Sequence, residues 1–203
     1  MSREHWEKQA SNWAAWARTP DFDAYWKYSP AFFELVPPPR GRTLEVGCGE
    51  GRVTRDLAKR GHRVVGVDAT ADLIRLARDA DPANTYLRCD AAALPFADGS
   101  FDLAVFYNSL MADAGRFESS DANARFLVEG NYLGPRRWLQ LPTVDRDGLS
   151  MDFSGWAYPM EAYFRALEGA GFMVQALREP AADDDQRWHR LPLFLMWRAV
   201  KIA

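Results

Sequence analysis

The chain has 203 residues, 48% of them hydrophobic, with 25 basic and 28 acidic side chains and a formal net charge of −3. That length suits one domain with a substantial core, and the mixed, slightly acidic charge offers neither the footprint of a nucleic-acid binder nor a basic helix for a membrane surface. Two cysteines (Cys48 and Cys89), a charged aromatic start (Arg3, Glu4, His5, Trp6) and no run of ~18 apolar residues predict a soluble cytoplasmic protein.

Trp6, Ala10, Trp13, Ala14 and Ala17 recur at helical spacing, and Pro20 separates them from a second helical piece with Tyr25, Trp26, Phe32, Phe33 and Val36. The run Pro37-Pro38-Pro39 ends this N-terminal cap. From Arg42 the pattern alternates. Strands are predicted at Thr43–Val46, Arg63–Val67, Tyr86–Cys89 and Phe101–Phe106, with helices carrying Val53, Leu57 and Ala58, then Leu73, Ile74, Leu76 and Ala77. Thr70 is placed to N-cap the second of these helices. Alternating strand and helix units build a parallel sheet covered on both faces. The last third differs: short strands at Arg125–Leu127, Trp138–Leu141 and Leu149–Phe153, a helix from Pro159 stopped by Gly171, strands Phe172–Leu177 and Leu193–Val200, and an acidic loop Ala181–Gln186 between them.

Ligands of open α/β sheets lie beyond the carboxyl ends of the strands. Here four successive ends carry Gly47, Asp68, Asp90 and Asn108. The first opens Glu45-Val46-Gly47-Cys48-Gly49-Glu50-Gly51, a GxGxG turn in which the backbone of Cys48 matters more than its thiol. A dinucleotide fingerprint would put its third glycine at position 52, which is Arg52, and a pyrophosphate would be repelled by Glu45 and Glu50. Asp68, followed by Ala69, stands 68 − 47 = 21 residues past the first glycine, where a carboxylate can accept both hydroxyls of a ribose. The bland reading of Asp68 is a charge stabilising a helix start. His5, His62 and His189 lack any zinc-ligand spacing, and no nucleophile–base constellation is visible, so no metal and no catalytic side chain are assigned.

From Thr43 to Asn108, through Asp90-Ala91, Leu94-Pro95-Phe96 and Gly99-Ser100-Phe101-Asp102, the sequence resembles class I S-adenosylmethionine-dependent methyltransferases. The resemblance is to the small-molecule group that includes ubiquinone and menaquinone biosynthesis enzymes. It implies that Gly47, Gly49 and Gly51 contact the methionine part of the cofactor. It further implies that Asp90 accepts from the adenine amino group, that the Ala91 N–H reads the ring, and that Tyr107 and Asn108 face the sulfonium or the substrate. The cap with Trp13, Trp16, Tyr25 and Tyr28 would close over the cofactor, with Trp13 and Tyr25 the best-placed rings.

After the fourth strand, relatives in that group carry a helix, an arginine-valine-leucine-x-proline-glycine-glycine turn and a fifth strand. This sequence runs from Asn108-Ser109-Leu110-Met111 straight to Ala114-Gly115-Arg116-Phe117. A parallel crossover needs a dozen or more residues. The expected fold is therefore α/β, a Rossmann-like methyltransferase sheet with helices on both faces and an N-terminal helical cap, in a reduced or rearranged form. Either Arg125–Leu127 or the last strand moves into the sheet, or the exposed edge pairs in a homodimer. The reading is one domain over 1–203, comprising a cap (1–39), a cofactor-binding half (42–108) and an irregular antiparallel part (109–203). Its expected activity is methyl transfer from S-adenosylmethionine to a small organic acceptor. The alternatives are a catalytically impaired remnant that binds the cofactor or a partner and, less favoured, a nicotinamide-dependent oxidoreductase.

Overall fold

In the computed structural model, residues 3–112, 115–127, 132–141, 143–181 and 186–202 are described. Most of the acidic loop 181–186 lies outside them. Helix α1 (Arg3–Arg18) buries Ala10, Ala14 and Ala17 of the stripe legible in the sequence, together with Trp16, while Trp6 and Trp13 are half-buried. Helix α2 (Tyr25–Leu35) holds Pro30 within it and stops at Val36, extended before three prolines. Then follow β1 (Arg42–Val46), α3 (Arg52–Lys59), β2 (Arg63–Asp68), α4 (Ala71–Ala80), β3 (Thr85–Arg88) and β4 (Leu103–Val105). These strands form one parallel sheet of order β3-β2-β1-β4.

The rest is short and antiparallel: β5 (Met111–Ala112), β6 (Arg116–Phe117), β7 (Phe126–Leu127), β8 (Arg137–Gln140), β9 (Val144–Arg146), β10 (Leu149–Met151) and β11 (Ser154–Tyr158). Helix α5 (Met160–Gly169), β12 (Phe172–Arg178), a 3-10 turn at Gln186–His189 and β13 (Met196–Lys201) complete the chain. Strands β5, β11 and β8 pair in that order. No helix separates β4 from β5, and the parallel sheet ends at β4, which is the reduced form expected. The two candidates for filling the gap do not fill it. Phe126–Leu127 pairs with Arg116–Phe117, and Met196–Lys201 with Phe172–Arg178. Each finds its partner nearby in sequence, where loop closure costs least.

The chain divides into two compact units, neither continuous: Met1–Asp23, Pro38–Met111 and Gln140–Gly155 form one, and Ala24–Pro37, Ala112–Leu139 and Trp156–Ala203 the other. In the first unit, Leu44, Val46, Val65 and Val67 make one core layer, against which Leu87, Leu94, Phe96 and Phe101 pack. The leucine-proline-phenylalanine stretch is thus a lid on the sheet. On the opposite layer Cys48, Ile74, Ala77 and Tyr86 cluster. The β9–β10 hairpin turns through Asp147 and Gly148, both at positive φ (48° and 81°), the geometry of a two-residue type I′ turn. It packs along α1: Asn12 donates to the Ser150 carbonyl at 3.1 Å, and Arg146 donates to the carbonyls of Asp21 and Phe22.

In the second unit α2 lies on β13, where Arg198 donates to the Leu35 carbonyl at 3.1 Å and Tyr28 meets Phe194 edge-on at 4.8 Å. Phe117 packs between Phe126 and Trp188. Tyr163 and Phe164 of α5 reach Trp197 on β13.

Candidate functional site

Each strand of the parallel sheet delivers one polar or glycine position to the same edge. Beyond β1, Gly47 through Gly51 form a tight turn whose amides are already engaged. Gly47 and Cys48 donate to the Val67 carbonyl (2.8 and 3.0 Å), Gly49 to Asp68 Oδ2 (3.0 Å) and Gly51 to the Cys48 carbonyl (2.9 Å). Glu45, only 2% exposed, accepts from both the hydroxyl and the amide of Thr54, so it caps the first turn of α3 from within. Burial pushes the Glu45 carboxyl up to about 8, against the pull of the Thr54 bonds and with a further push from Asp68 and Glu50. The carboxyl is therefore largely neutral at pH 7. Glu50 is also buried and is gripped by Arg18 at 2.8 Å and by Arg55 at 2.9 Å.

This corrects the charge argument drawn from the sequence. Neither glutamate presents a free negative charge to a ligand. What weighs against a pyrophosphate is that the amides of Gly47, Cys48, Gly49, Gly51 and Thr54 already serve protein acceptors, unlike the open anion cradle of a dinucleotide site.

All three glycines of this turn have positive φ and a close neighbour; Gly47 meets Ser109, and the other two meet rings. At Gly49 (φ +56°) a Cβ would stand 3.2 Å from Nε1 of Trp13, so the indole lies directly against the backbone. At Gly51 (φ +86°) it would stand 2.8 Å from the Tyr86 ring and hydroxyl. Cys48 is buried, and burial pushes its thiol up, as expected for a backbone role.

Beyond β2, half-buried Asp68 accepts from Gly49 N on one oxygen and from Thr70 N on the other at 2.9 Å. Each carboxylate oxygen keeps a second lone pair, so the helix-start reading and the ribose reading are compatible. Ala69 follows, and its carbonyl accepts from Arg88 Nε at 3.2 Å. The Thr70 side chain does not cap α4. Glu7 does, accepting from the amides of Ala71 (3.0 Å) and Asp72 (3.4 Å), and the Ala71 bond leads the effects that lower its carboxyl. Sequence reading missed Glu7 because the cap comes from 64 residues away.

Beyond β3, exposed Asp90 accepts from Ala92 N at 2.9 Å, and Ala91 is exposed beside it. Beyond β4, Tyr107 is half-buried, Asn108 is exposed and left-handed (φ +54°), and this bend folds Ser109 back onto the glycine turn. The Ser109 hydroxyl donates toward the carbonyls of Val46 (3.2 Å) and Tyr107 (3.1 Å) and stands 2.5 Å from where a Gly47 Cβ would be. Nothing in the sequence distinguished Ser109 from Asn108.

From the cap, Trp13 meets Trp6 edge-on at 5.7 Å and Phe153 at 6.2 Å; Phe153 also braces Trp16 at 6.4 Å. The sequence signal for this brace is the Asp147-Gly148 pair, a hairpin-turn dipeptide. The first unit thus gathers Glu45, Gly47, Cys48, Gly49, Gly51, Asp68, Ala69, Asp90, Ala91, Tyr107, Asn108 and Trp13 at one sheet edge and the elements on it. Tyr25 belongs to the second unit, buried at the start of α2 against Trp26.

A family profile described as "Methyltransferase domain" matches residues 44–117. The chain is 41% identical over 61 residues to a malonyl-[acyl-carrier protein] O-methyltransferase of Erwinia pyrifoliae, a match covering 30% of this chain and 23% of that enzyme. It is 31% identical over 147 residues to an uncharacterized protein of Mycobacterium bovis, covering 66% of this chain and 54% of that protein. It therefore spans about half or less of the length of these relatives. The folds match more widely. A putative S-adenosylmethionine-dependent methyltransferase of Listeria monocytogenes superposes with a TM-score of 0.65 at 17% identity, over 89% of this chain and 100% of that one. A TehB-like methyltransferase of Corynebacterium glutamicum gives 0.56 at 21% identity, over 99% and 100%. The fold is that of the class I S-adenosylmethionine-dependent methyltransferases, and residues 44–117 are the stretch that matches the methyltransferase-domain profile.

Proposed function

We propose that the chain binds S-adenosylmethionine along this sheet edge and transfers its methyl group to a small organic acceptor. One observation carries the reading: a glycine turn with its amides engaged, next to carboxylates Asp68 and Asp90 with lone pairs to spare. Such a row accepts hydrogen bonds from a nucleoside but does not cradle phosphate. In the order β3-β2-β1-β4, Asp90 would take the adenine amino group, with the Ala91 N–H on the ring. Asp68, beside Ala69, would take the ribose hydroxyls, leaving the amino-acid end over Gly47, Gly49 and Gly51. Tyr107 and Asn108 would border the transferred methyl.

Bound there, the cofactor supplies an activated methyl group. Displacement at a sulfonium methyl needs alignment and exclusion of water more than covalent help. The chain's part is positional: the turn and Trp13 hold one end of the ligand and the carboxylates hold the other. The interleaving of the two units supports one functional domain over 1–203, since neither can be excised as a single segment. The whole reading describes a protein of the cytoplasm, and no described helix is long and apolar enough to cross a membrane. A homodimer across the β4 edge is part of the proposal.

A second reading has its own support. The sheet stops at β4 with no helix and parallel strand beyond it, which removes a wall of the expected acceptor pocket and favours a chain that binds cofactor without turning it over. Calorimetric titration with S-adenosylhomocysteine, with NAD as control, tests the first step. Binding of the former alone is expected, and equal binding of both or of neither overturns the proposal. Methyl release from S-adenosylmethionine in an acceptor screen then separates enzyme from remnant.

A further inference from the structure

The strand order fixes which end of the ligand lies where. If the ribose is held at Asp68 beyond β2, the amino-acid end lies over β1 and β4, on the glycine turn. An α-carboxylate there needs donors, and the amides of all three turn glycines and of Cys48 already serve Val67, Asp68 and Cys48, while that of Thr54 serves Glu45. A charged carboxylate left without donors in a half-buried site would be strongly disfavoured.

One donor lies against the turn from outside it. Trp13 presents the pyrrole edge of its indole to Gly49, with Nε1 nearer the turn (3.2 Å from the Gly49 Cβ position) than Cδ1 (3.9 Å). Among the described residues no hydrogen bond from that N–H is seen. The ring is fixed from two sides by the edge-on contacts of Trp6 and Phe153, at interplanar angles of 76° and 88°. Phe153 is held in turn, its carbonyl accepting from Leu141 N at 2.8 Å. A donor held this firmly loses little freedom on binding.

Resting on the cofactor reading above, we infer that the Trp13 indole N–H is a specificity-determining donor for the α-carboxylate of the bound amino-acid moiety, with Phe153 as its positioning residue. The site would then prefer adenosyl ligands that keep this carboxylate over those that have lost it.

The test compares S-adenosylhomocysteine with its decarboxylated counterpart, S-adenosyl-3-thiopropylamine, on wild type, Trp13→Phe and Trp13→His, with melting curves as a folding check. Trp13→Phe keeps an aromatic ring and removes the donor. It should weaken S-adenosylhomocysteine about tenfold, in line with a hydrogen bond to a charged group, and leave the decarboxylated ligand unchanged. Trp13→His, which retains a ring N–H, should recover part of the loss. Equal weakening of both ligands, or of neither, overturns the inference. Should Trp13→Phe fail to fold, equal affinity of wild type for the two ligands overturns it as well. Failure of wild type to bind S-adenosylhomocysteine at all is a separate result and strikes the cofactor reading itself.

Discussion

The parallel half and the antiparallel remainder of this chain are built on different principles. In β1 and β2 every residue but the first and, in β2, the last is buried, because helices and loops cover both faces of the sheet. In β8 and β12 half-buried residues alternate with exposed ones, and α5 buries none of its residues completely. Among the described residues the second unit contributes only Tyr25, Tyr28, Leu35, Ala124 and Ala157 to the buried apolar set. The proposed ligand-facing residues sit on the more densely buried unit, as a turn that holds Asp68 and Gly49 in fixed positions requires.

That contrast can be broken by comparing core truncations. Leu57→Ala removes a side chain of α3 that is 0% exposed. It should cost about 3 kcal/mol in chemical unfolding. Val174→Ala on half-buried β12 should cost under ~1.5 kcal/mol. Equal costs would mean that the two regions do not differ in packing. The glycine turn sharpens the comparison next. Gly51→Ala adds a Cβ 2.8 Å from Tyr86 at φ +86°. It should destabilise by about 2 kcal/mol and weaken S-adenosylhomocysteine severalfold, read by melting and calorimetry. Gly148→Ala shares the positive φ but meets nothing within 4 Å, so it should leave ligand affinity unchanged. The smallest effect concerns the α4 cap. Glu7→Ala should cost about 0.5–1 kcal/mol, as loss of an N-terminal cap does. Thr70→Val should stay within ~0.5 kcal/mol, because the Thr70 hydroxyl makes no cap bond. The reverse order would restore the cap expected from sequence.

Most of the parallel half was legible residue by residue. The four strands, α3, α4 and the alignment of Gly47, Asp68, Asp90 and Asn108 at one edge follow from short-range periodicity and from the rule that right-handed crossovers bring strand ends together. The electrostatics of that edge was not legible. Glu45 and Glu50 read as two negative charges in the sequence; burial, against the pull of the Thr54 bonds, pushes the first toward its neutral form, and Arg18 and Arg55 compensate the second. The Thr70 cap failed for a related reason: a carboxylate from α1 reached the same amides.

The sequence by itself determined the class of fold, the positions gathered at the carboxyl edge of the sheet and the absence of a helix between β4 and β5. These depend on local spacing and on which residue types a turn tolerates. Tertiary structure alone decided which groups at the edge remain free to bind. It set the Gly47–Gly51 amides on their internal acceptors, and it brought Phe153, 140 residues beyond Trp13, to hold the indole against Gly49. Hydrogen-bond engagement and charge compensation are contacts between distant segments, and no local pattern encodes them.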